Sequence, residues 1–393
     1  MNEAVPEGWK TSKIKDLALL EYGKSPSAVR DDNGCFPIIG TSGVVGKSIE
    51  SLWDQSSVVL GRKGTINRPI YIDAPFWAID TTYFCKISHD VDVKWFFYMT
   101  TQANLEKHNE ASGVPSLSRD TLYSVRVSTP PLPEQKKIAS ILTSVDEVIE
   151  DTQRQIDKLQ ELKKATMNEL LTKGIGHTEF KDSELGRIPK SWEVRDLVSV
   201  SLEKGIQTGP FGSQLHSHEY TLSGVPVVMP KDMKPPQIEI SGIARIAEHR
   251  AVDLAKHRVK TGDILFSRRG DIGRFALMEN SSEGWVCGTG CLRVRLNTLV
   301  AHPYFVAQYL TKDEPKEWLN LNAVGLTMLN LSTGILEKLP IIVPPMKEQM
   351  QIISALQSID SRLFECWRFF SQTQSLKKSL MQDLLTGKVR VQV

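Results

Sequence analysis

Pro130-Pro-Leu-Pro-Glu-Gln135 recurs as Pro344-Pro-Met-Lys-Glu-Gln349, and the match runs on without a gap, at a constant offset of 214 residues, through segments 130–173 and 344–387. Ile138, Leu142 and Asp146 return as Ile352, Leu356 and Asp360, and Lys163-Lys164, Met167 and Leu170-Leu171-Thr172 as Lys377-Lys378, Met381 and Leu384-Leu385-Thr386. A fixed long period is an architectural signal. The prolines cannot continue a helix but can sit just ahead of one, and Glu134 and Glu348 place negative charge on its first turn. Beyond them positions 138, 142, 145, 149, 152, 156, 159, 163, 166 and 170 alternate steps of four and three, the spacing of a heptad seam.

In the first copy the apolar seam residues include Ile138, Leu142, Val145, Ile149, Ile156 and Leu159; in the second, Ile352, Leu356, Ile359, Leu363 and Phe370, with Thr373 and Lys377 as interruptions. Gly174 and Gly387 stand where glycine closes a helix. A helix of roughly 40 residues is about 60 Å long and cannot bury its stripe on itself. Its repeat is the obvious partner. The expected fold is therefore α+β: two α/β globules separated by two long helices that form an intramolecular antiparallel coiled coil, with pseudo-two-fold character. The expected boundaries are 1–129 for the first globule, 130–173 for the central helix, 174–343 for the second globule, and 344–393 for the distal helix and tail.

A length of 393 residues suits two or three domains, each with its own core. The opening residues 1–10 are polar and no apolar run reaches about 18 residues, so neither a signal peptide nor a membrane span is expected and the location should be cytoplasmic. The five cysteines form no disulfide framework. Cys287 and Cys291, the close pair, lack neighbouring ligands for zinc and read as buried thiols.

Within 1–129, residues 13–20 read as helical, and the runs 36–39, 57–60, 70–72 and 81–87 as strands broken by Gly, Pro and Asp. Residues 93–108 read as an amphipathic helix with Trp95, Phe96 and Met99 inward. The second globule repeats this plan loosely. Pro189-Lys-Ser-Trp192 echoes Pro6-Glu-Gly-Trp9, Ser267-Arg-Arg-Gly-Asp-Ile272 echoes Gly61-Arg-Lys-Gly-Thr-Ile66, and Asn330-Leu-Ser-Thr-Gly-Ile-Leu336 echoes Ser116-Leu-Ser-Arg-Asp-Thr-Leu122.

Catalytic motifs fail on spacing. In Gly40-Thr-Ser-Gly-Val-Val-Gly46-Lys47-Ser48 a phosphate-binding loop would need glycine at Thr41, so a turn-rich segment between strands is the better reading. No Pro-Pro pair is preceded by Asn or Asp and followed by an aromatic, as an adenine methyltransferase would require. His216 and His218 beside Glu219, two apart on a polar loop, read as solvent-exposed histidines.

The basic clusters are the positive signal. Between Asp54 and Asp73 the only charges are Arg62, Lys63 and Arg68, and residues 245–274 carry Arg245, Arg250, Lys256, Arg258, Lys260, Arg268, Arg269 and Arg274 against four acids. Arg62-Lys63-Gly64 and Arg268-Arg269-Gly270 occupy matching places after an apolar strand, where arginine could pair with guanine or hold phosphate. The candidate DNA-binding residues are Arg62, Lys63, Arg68, Lys47, Gln214, Lys231, Arg268, Arg269 and Arg274.

Taken together, the chain resembles the specificity subunit of type I restriction-modification systems along essentially its whole length. Pro-Leu-Pro-Glu-Gln135 through Leu-Leu-Thr-Lys-Gly174 is similar to the family's central helical region, and Pro-Pro-Met-Lys-Glu-Gln349 through Leu-Leu-Thr-Gly387 to its distal one. His177-Thr-Glu-Phe-Lys-Asp-Ser-Glu-Leu-Gly186, followed by Ile-Pro-Lys-Ser-Trp192, is similar to the entry into its second target-recognition domain. Gly209-Pro-Phe-Gly-Ser-Gln214 with Gly224-Val-Pro-Val-Val228 looks like a common variety of that domain. The resemblance implies a non-catalytic reader of double-stranded DNA, each globule taking one half of a bipartite, asymmetric target. It also implies two methyltransferase subunits docked on the helices, two restriction and translocase subunits for cleavage, and no cofactor or metal on this chain. A self-contained DNA methyltransferase or nuclease, or a coiled-coil scaffold without DNA binding, are the alternatives.

Overall fold

The positions that alternate in steps of four and three fold into two long helices, Leu132–Leu170 of 39 residues and Met346–Thr386 of 41 residues. The structure is a computed structural model and describes residues 5–212, 214–325 and 329–392. Residues 1–4 of the polar opening, Ser213 of the glycine-rich stretch 209–214 and Val393 of the tail lie outside the described residues. Packing divides the chain into two compact units: one runs to Ile156 and resumes at Glu365, and the other is Asp157–Phe364. Each long helix contributes a part to each unit.

Ile138, Leu142, Ile156, Ile352 and Leu356 are buried, and Val145, Ile149, Leu159, Ile359, Leu363 and Phe370 are half-buried, so the seam faces inward throughout. In the first unit Ile138, Ala139 and Leu142 share a core with Met381, Leu384 and Leu385, while Lys377 lies 2.5 Å from Asp146. In the second, Leu171 packs with Ile352, Ile353 and Leu356, and Lys163 lies 2.5 Å from Asp360. Within each unit the helices therefore run antiparallel. The interruptions are accommodated: Thr373 donates its hydroxyl to the Phe369 carbonyl at 2.9 Å, as Thr152 does to Val148 at 2.6 Å, and Lys377 is the partner of Asp146.

The repeated Glu-Gln pair seats each globule on its helix. Trp9 Nε1–H donates to Glu134 Oε2 at 2.9 Å, and Arg390 donates to both carboxylate oxygens at 2.7 and 2.8 Å. Trp192 Nε1–H likewise donates to Glu348 Oε2 at 2.9 Å, where the Ile175 N–H and His177 Nε2 take the place of the arginine, 3.0 and 2.7 Å from Oε1. Gln135 donates to the Pro130 carbonyl and accepts the Asp92 N–H, both at 2.9 Å; Gln349 does the same with Pro344 and His302, both at 2.8 Å. Further along, Tyr98 and Tyr304 each donate a phenol O–H to the repeated aspartate, Asp146 or Asp360, at 2.7 Å. Gly174 (φ +67°) and Gly387 (φ +74°) end their helices in left-handed conformations, and a Cβ on either would press on a neighbour 2.4 Å away, Glu348 Oε1 or Pro6 Cγ.

The globules share a frame. The first has an antiparallel sheet ordered Ala18–Tyr22, Thr82–Ile87, Ser57–Gly61, Ile70–Ile72; the second has Ser201–Thr208, Cys291–Leu296, Ile264–Ser267, Phe275–Leu277 in the corresponding order. A smaller sheet accompanies each, built on a parallel pair, Phe36–Gly40 with Trp77–Ala78 or Val225–Val228 with Val286–Cys287. The repeated serines cap equivalent short helices: Ser118 accepts the Thr121 N–H and Ser332 the Ile335 N–H.

Three local expectations change. Residues 13–20 are one helical turn, Ile14–Leu17, followed by the strand Ala18–Tyr22, whose alternating burial matches a half-buried strand. A short apolar run does not distinguish the two states. The helix expected over 93–108 stops at Gln102, because Asn104 adopts a left-handed conformation (φ 48°) and only a single 3-10 turn, Leu105–His108, follows. The turn-rich segment expected between strands around Lys47 is itself largely a strand, Gly43–Ser48, folded back as a hairpin on Phe36–Gly40, and no helix follows it as a phosphate-binding loop would require. Cys287 and Cys291 are buried strand residues.

Candidate nucleic-acid interface

Arg62 and Arg268 follow the third strands of equivalent sheets, Ser57–Gly61 and Ile264–Ser267. In antiparallel order the first and third strands run the same way, so the end of Ala18–Tyr22 and the end of Ser57–Gly61 share one sheet edge. That places Tyr22 beside Arg62, whose guanidinium carbon lies 5.3 Å from the ring centroid. Arg119, the first residue of the helix capped by Ser118, reaches the same ring at 5.2 Å. Tyr22 also packs on Tyr83 with centroids 5.1 Å apart, and burial together with the Tyr22 phenol pushes the Tyr83 hydroxyl up to about 12. An exposed aromatic ring contacted by two guanidinium groups joins a flat apolar face to a double positive charge, a combination suited to nucleic acid.

The second globule builds the same corner from other residues. The Arg268 guanidinium lies 5.8 Å from the ring centroid of Phe211, which is exposed just beyond Ser201–Thr208. The backbone is nearly superimposable in its bonding: Leu117 N–H donates to the Arg62 carbonyl at 2.9 Å and Leu331 N–H to the Arg268 carbonyl at 2.8 Å. Arg62 N–H donates to Thr81 at 2.9 Å and Arg268 N–H to Gly290 at 2.8 Å. Lys63 bridges to Ser116, and Arg269 to Asn330.

The structure therefore brings Arg62 and Lys63 together at one corner, and Arg268 and Arg269 at its counterpart. Lys63 and Arg269 are exposed there, whereas Arg62 is held by a bond from Nη1 to the Asp80 carbonyl at 3.0 Å. Arg68 sits on a different surface, lining a cleft of about 540 Å³ with Tyr71, Lys94, Asp146 and Glu150. Lys47 is exposed on the hairpin strand Gly43–Ser48, and Lys231 on the 3-10 turn Pro230–Asp232. Gln214 turns back on its own loop, its side chain accepting the Phe211 N–H at 3.1 Å. Arg274 is paired with Asp271 at 2.6 Å.

Much of the basic stretch 245–274 is structural. Arg250 is bonded to Glu219 and Asp253, Arg258 to Glu248, and Arg245 to the Gly224 carbonyl. Sequence reasoning missed Tyr22, Arg119 and Phe211. Phe211 lay inside a quoted motif and Arg119 inside a repeated one, but neither showed which arginine it would meet.

The family description "Type I restriction modification DNA specificity domain" matches residues 6–161 and 233–366. The chain is similar to the type I restriction enzyme MjaVIII specificity subunit of Methanocaldococcus jannaschii, 26% identical over 417 residues that cover 98% of this chain and 94% of that one. It is also similar to the EcoDI specificity subunit of Escherichia coli, 21% identical over 430 residues covering 99% and 90%. Among solved structures, the S subunit of a type I restriction-modification system from M. genitalium shares the fold with a TM-score of 0.65 at 15% identity, covering 98% of this chain and 97% of that one. A chain from a type I R-M complex gives 0.56 at 14% identity, covering 98% and 100%. With a family description that takes in most of its length and a fold shared end to end with an S subunit, this chain belongs to the type I restriction-modification DNA specificity family.

Proposed function

We propose that this chain supplies the DNA sequence specificity of a type I restriction-modification complex, the globule of 1–129 reading one half of a bipartite, asymmetric double-stranded target and that of 174–343 the other. The observation that carries this reading is the corner built twice on one backbone frame with different side chains: Tyr22, Arg62 and Arg119 in one globule, Phe211 and Arg268 in the other. A shared frame with different chemistry suits two different half-sites. Direct readout needs side chains that can reach base edges, and an arginine at the end of the third strand in each globule suits that need.

In this reading the long helices space the globules and dock two methyltransferase subunits, and two restriction and translocase subunits join for cleavage. The chain itself carries no catalytic group and binds no cofactor. The net charge of +2 is low for a DNA binder acting alone, and partners closing around the duplex would neutralise the remaining phosphates. A cytoplasmic setting follows from this role. Among the described residues no helix is long and apolar enough to cross a membrane.

The test is a titration of duplex DNA with the full chain at several salt concentrations, beside a measurement of S-adenosylmethionine binding and methyl transfer. Weak, steeply salt-dependent DNA binding without cofactor uptake is expected. Methyl transfer by the chain alone would replace this reading with a self-contained methyltransferase, and salt-independent or absent DNA binding would favour a scaffold.

A further inference from the structure

The small sheet of the first globule ends in a free hairpin. Its outermost strand, Gly43–Ser48, folds back on Phe36–Gly40 through a turn at Thr41-Ser42, and a bulge leaves Val45 as an extra residue between the pairs Ile39 with Val44 and Ile38 with Gly46. Val44 is 67% exposed at the tip and Val45 41%. From Gly40 to Gly46 the tip carries no charge. The acids nearest in sequence, Asp31, Asp32 and Glu50, belong to its base, where the Asp31 N–H donates to the Lys47 carbonyl at 3.0 Å.

The tip stands against the basic corner. Residues 79–81 tie the two together: the Ile79 N–H donates to the Ile39 carbonyl at 3.1 Å, and the Thr81 carbonyl accepts the N–H groups of Arg62 and Lys63 at 2.9 and 3.2 Å. Thr41 Oγ1 lies 3.6 Å from where a Cβ on Gly64 would sit. On the other flank Ser42 and Gly43 border the cleft of Arg68 and Lys94, which also holds Asp146, Glu147 and Glu150. Those carboxylates repel a polyanion, so a duplex meets the tip from the side of Arg62 and Lys63.

A two-stranded ribbon fits the major groove, and cations beside it can hold the phosphates. An aliphatic side chain neither donates nor accepts a hydrogen bond, so among base edges it complements the apolar group found there, the thymine 5-methyl. A bulge is a common device for re-aiming a side chain beside a binding site. A protein partner is the poorer occupant, because two valines supply a small part of the roughly 800 Å² that each side of a stable interface buries.

We propose that the hairpin tip 41–45 enters the major groove of the half-site read by the first globule, and that Val44 selects a thymine through its 5-methyl group. This rests on the reading of the chain as a DNA-recognition subunit and deepens it by naming the element and the base group it reads. In the second globule the antiparallel neighbour of Val225–Val228 is Ala244–Ile246, whose far side is covered by Tyr220–Thr221, so no free ribbon stands at the matching place.

The test begins with selection of duplexes by the full chain from a randomised DNA library at low salt, comparing wild type, Val44→Ser and, to mark the first half-site, Tyr22→Ala. The retained motif should hold a thymine in the half-site that Tyr22→Ala weakens, and Val44→Ser should flatten the preference at that position alone while melting with the wild type. A duplex of that motif is then titrated with uracil in place of the thymine, which deletes only the methyl group. The wild type should bind the uracil duplex roughly 4-fold more weakly, the worth of one buried methyl group, and Val44→Ser should bind both duplexes alike. A thymine preference that survives Val44→Ser, or a first half-site without thymine, overturns the methyl contact while leaving DNA recognition standing. An unchanged motif in a Val44→Ser chain that no longer assembles with methyltransferase subunits assigns the tip to a protein contact and overturns it as well. Retention of no motif by the wild type overturns the recognition reading and this inference together.

Discussion

Asp146 and Lys377 form an ion pair at 2.5 Å, and Asp146 accepts the Tyr98 phenol at 2.7 Å with its other oxygen. The lysine ammonium also lies 5.6 Å from the centroid of the Tyr98 ring. One carboxylate thus joins the central helix, the distal helix and a globule helix. Its copy Asp360 does the same with Lys163 and Tyr304. The two tyrosines are not at matching helix positions, Tyr98 being the sixth residue of Val93–Gln102 and Tyr304 the second of Pro303–Leu310, so the repeated aspartate is served by independent solutions.

Asp146→Ala takes from the Tyr98 hydroxyl, whose titration burial already displaces upward, its short charged acceptor and leaves it only the longer bond to Thr143 Oγ1 at 3.3 Å. The expected loss is about 1–3 kcal/mol in denaturant unfolding. Lys377→Met removes a partly exposed ion pair and should cost no more than about 1 kcal/mol. Equal losses from both variants would show that the ion pair, and not the phenol bond, dominates.

Leu142 and Leu356 are among the least exposed seam residues, at 0% and 1%. Asp at either position would place an unpaired charge in the helix interface, and destabilisation of about 3–5 kcal/mol is expected in urea unfolding. Unaltered midpoints in both variants would mean that the seam contributes little.

Glu134 should give the first unit an acid-sensitive component. Burial alone would raise its carboxyl, but the Arg390 and Trp9 bonds outweigh burial and hold it below its ordinary value of 4.5. A folded-state value below the unfolded one means stability that is present above about the ordinary value and lost as pH falls through the lowered folded one. The gap in melting temperature between wild type and Arg390→Ala should therefore be full at neutral pH and close below pH 4.5. A gap independent of pH would remove the carboxylate from the explanation.

Tyr22→Ala removes the ring that gathers Arg62 and Arg119 but, at 45% exposure, should change stability little. DNA affinity measured against salt should fall, with the loss confined to one half-site. Unchanged affinity would take this corner off the DNA surface.

The pairing of the helices could be read in advance because it is a local, periodic property. Steps of four and three put Ile138, Leu142 and their copies on one face whatever the rest of the chain does, and the strands Ser57–Gly61 and Ile70–Ile72 announced themselves through β-branched runs between turn residues. The repeat of Glu134-Gln135 was equally visible. Its purpose was not: charge on a first turn is a sequence inference, whereas an indole from Trp9 and a guanidinium from Arg390 on the same carboxylate depend on chain segments 125 and 256 residues away. The recognition corners obey the same division. Recurring Arg62 and Arg268 were legible as a repeated basic turn, but Tyr22 with Arg119, and Phe211, meet them only after the sheet has ordered its strands. Periodicity is written into neighbouring residues, while hydrogen-bond partnership and ring stacking are decided by which distant segments the tertiary fold brings within reach.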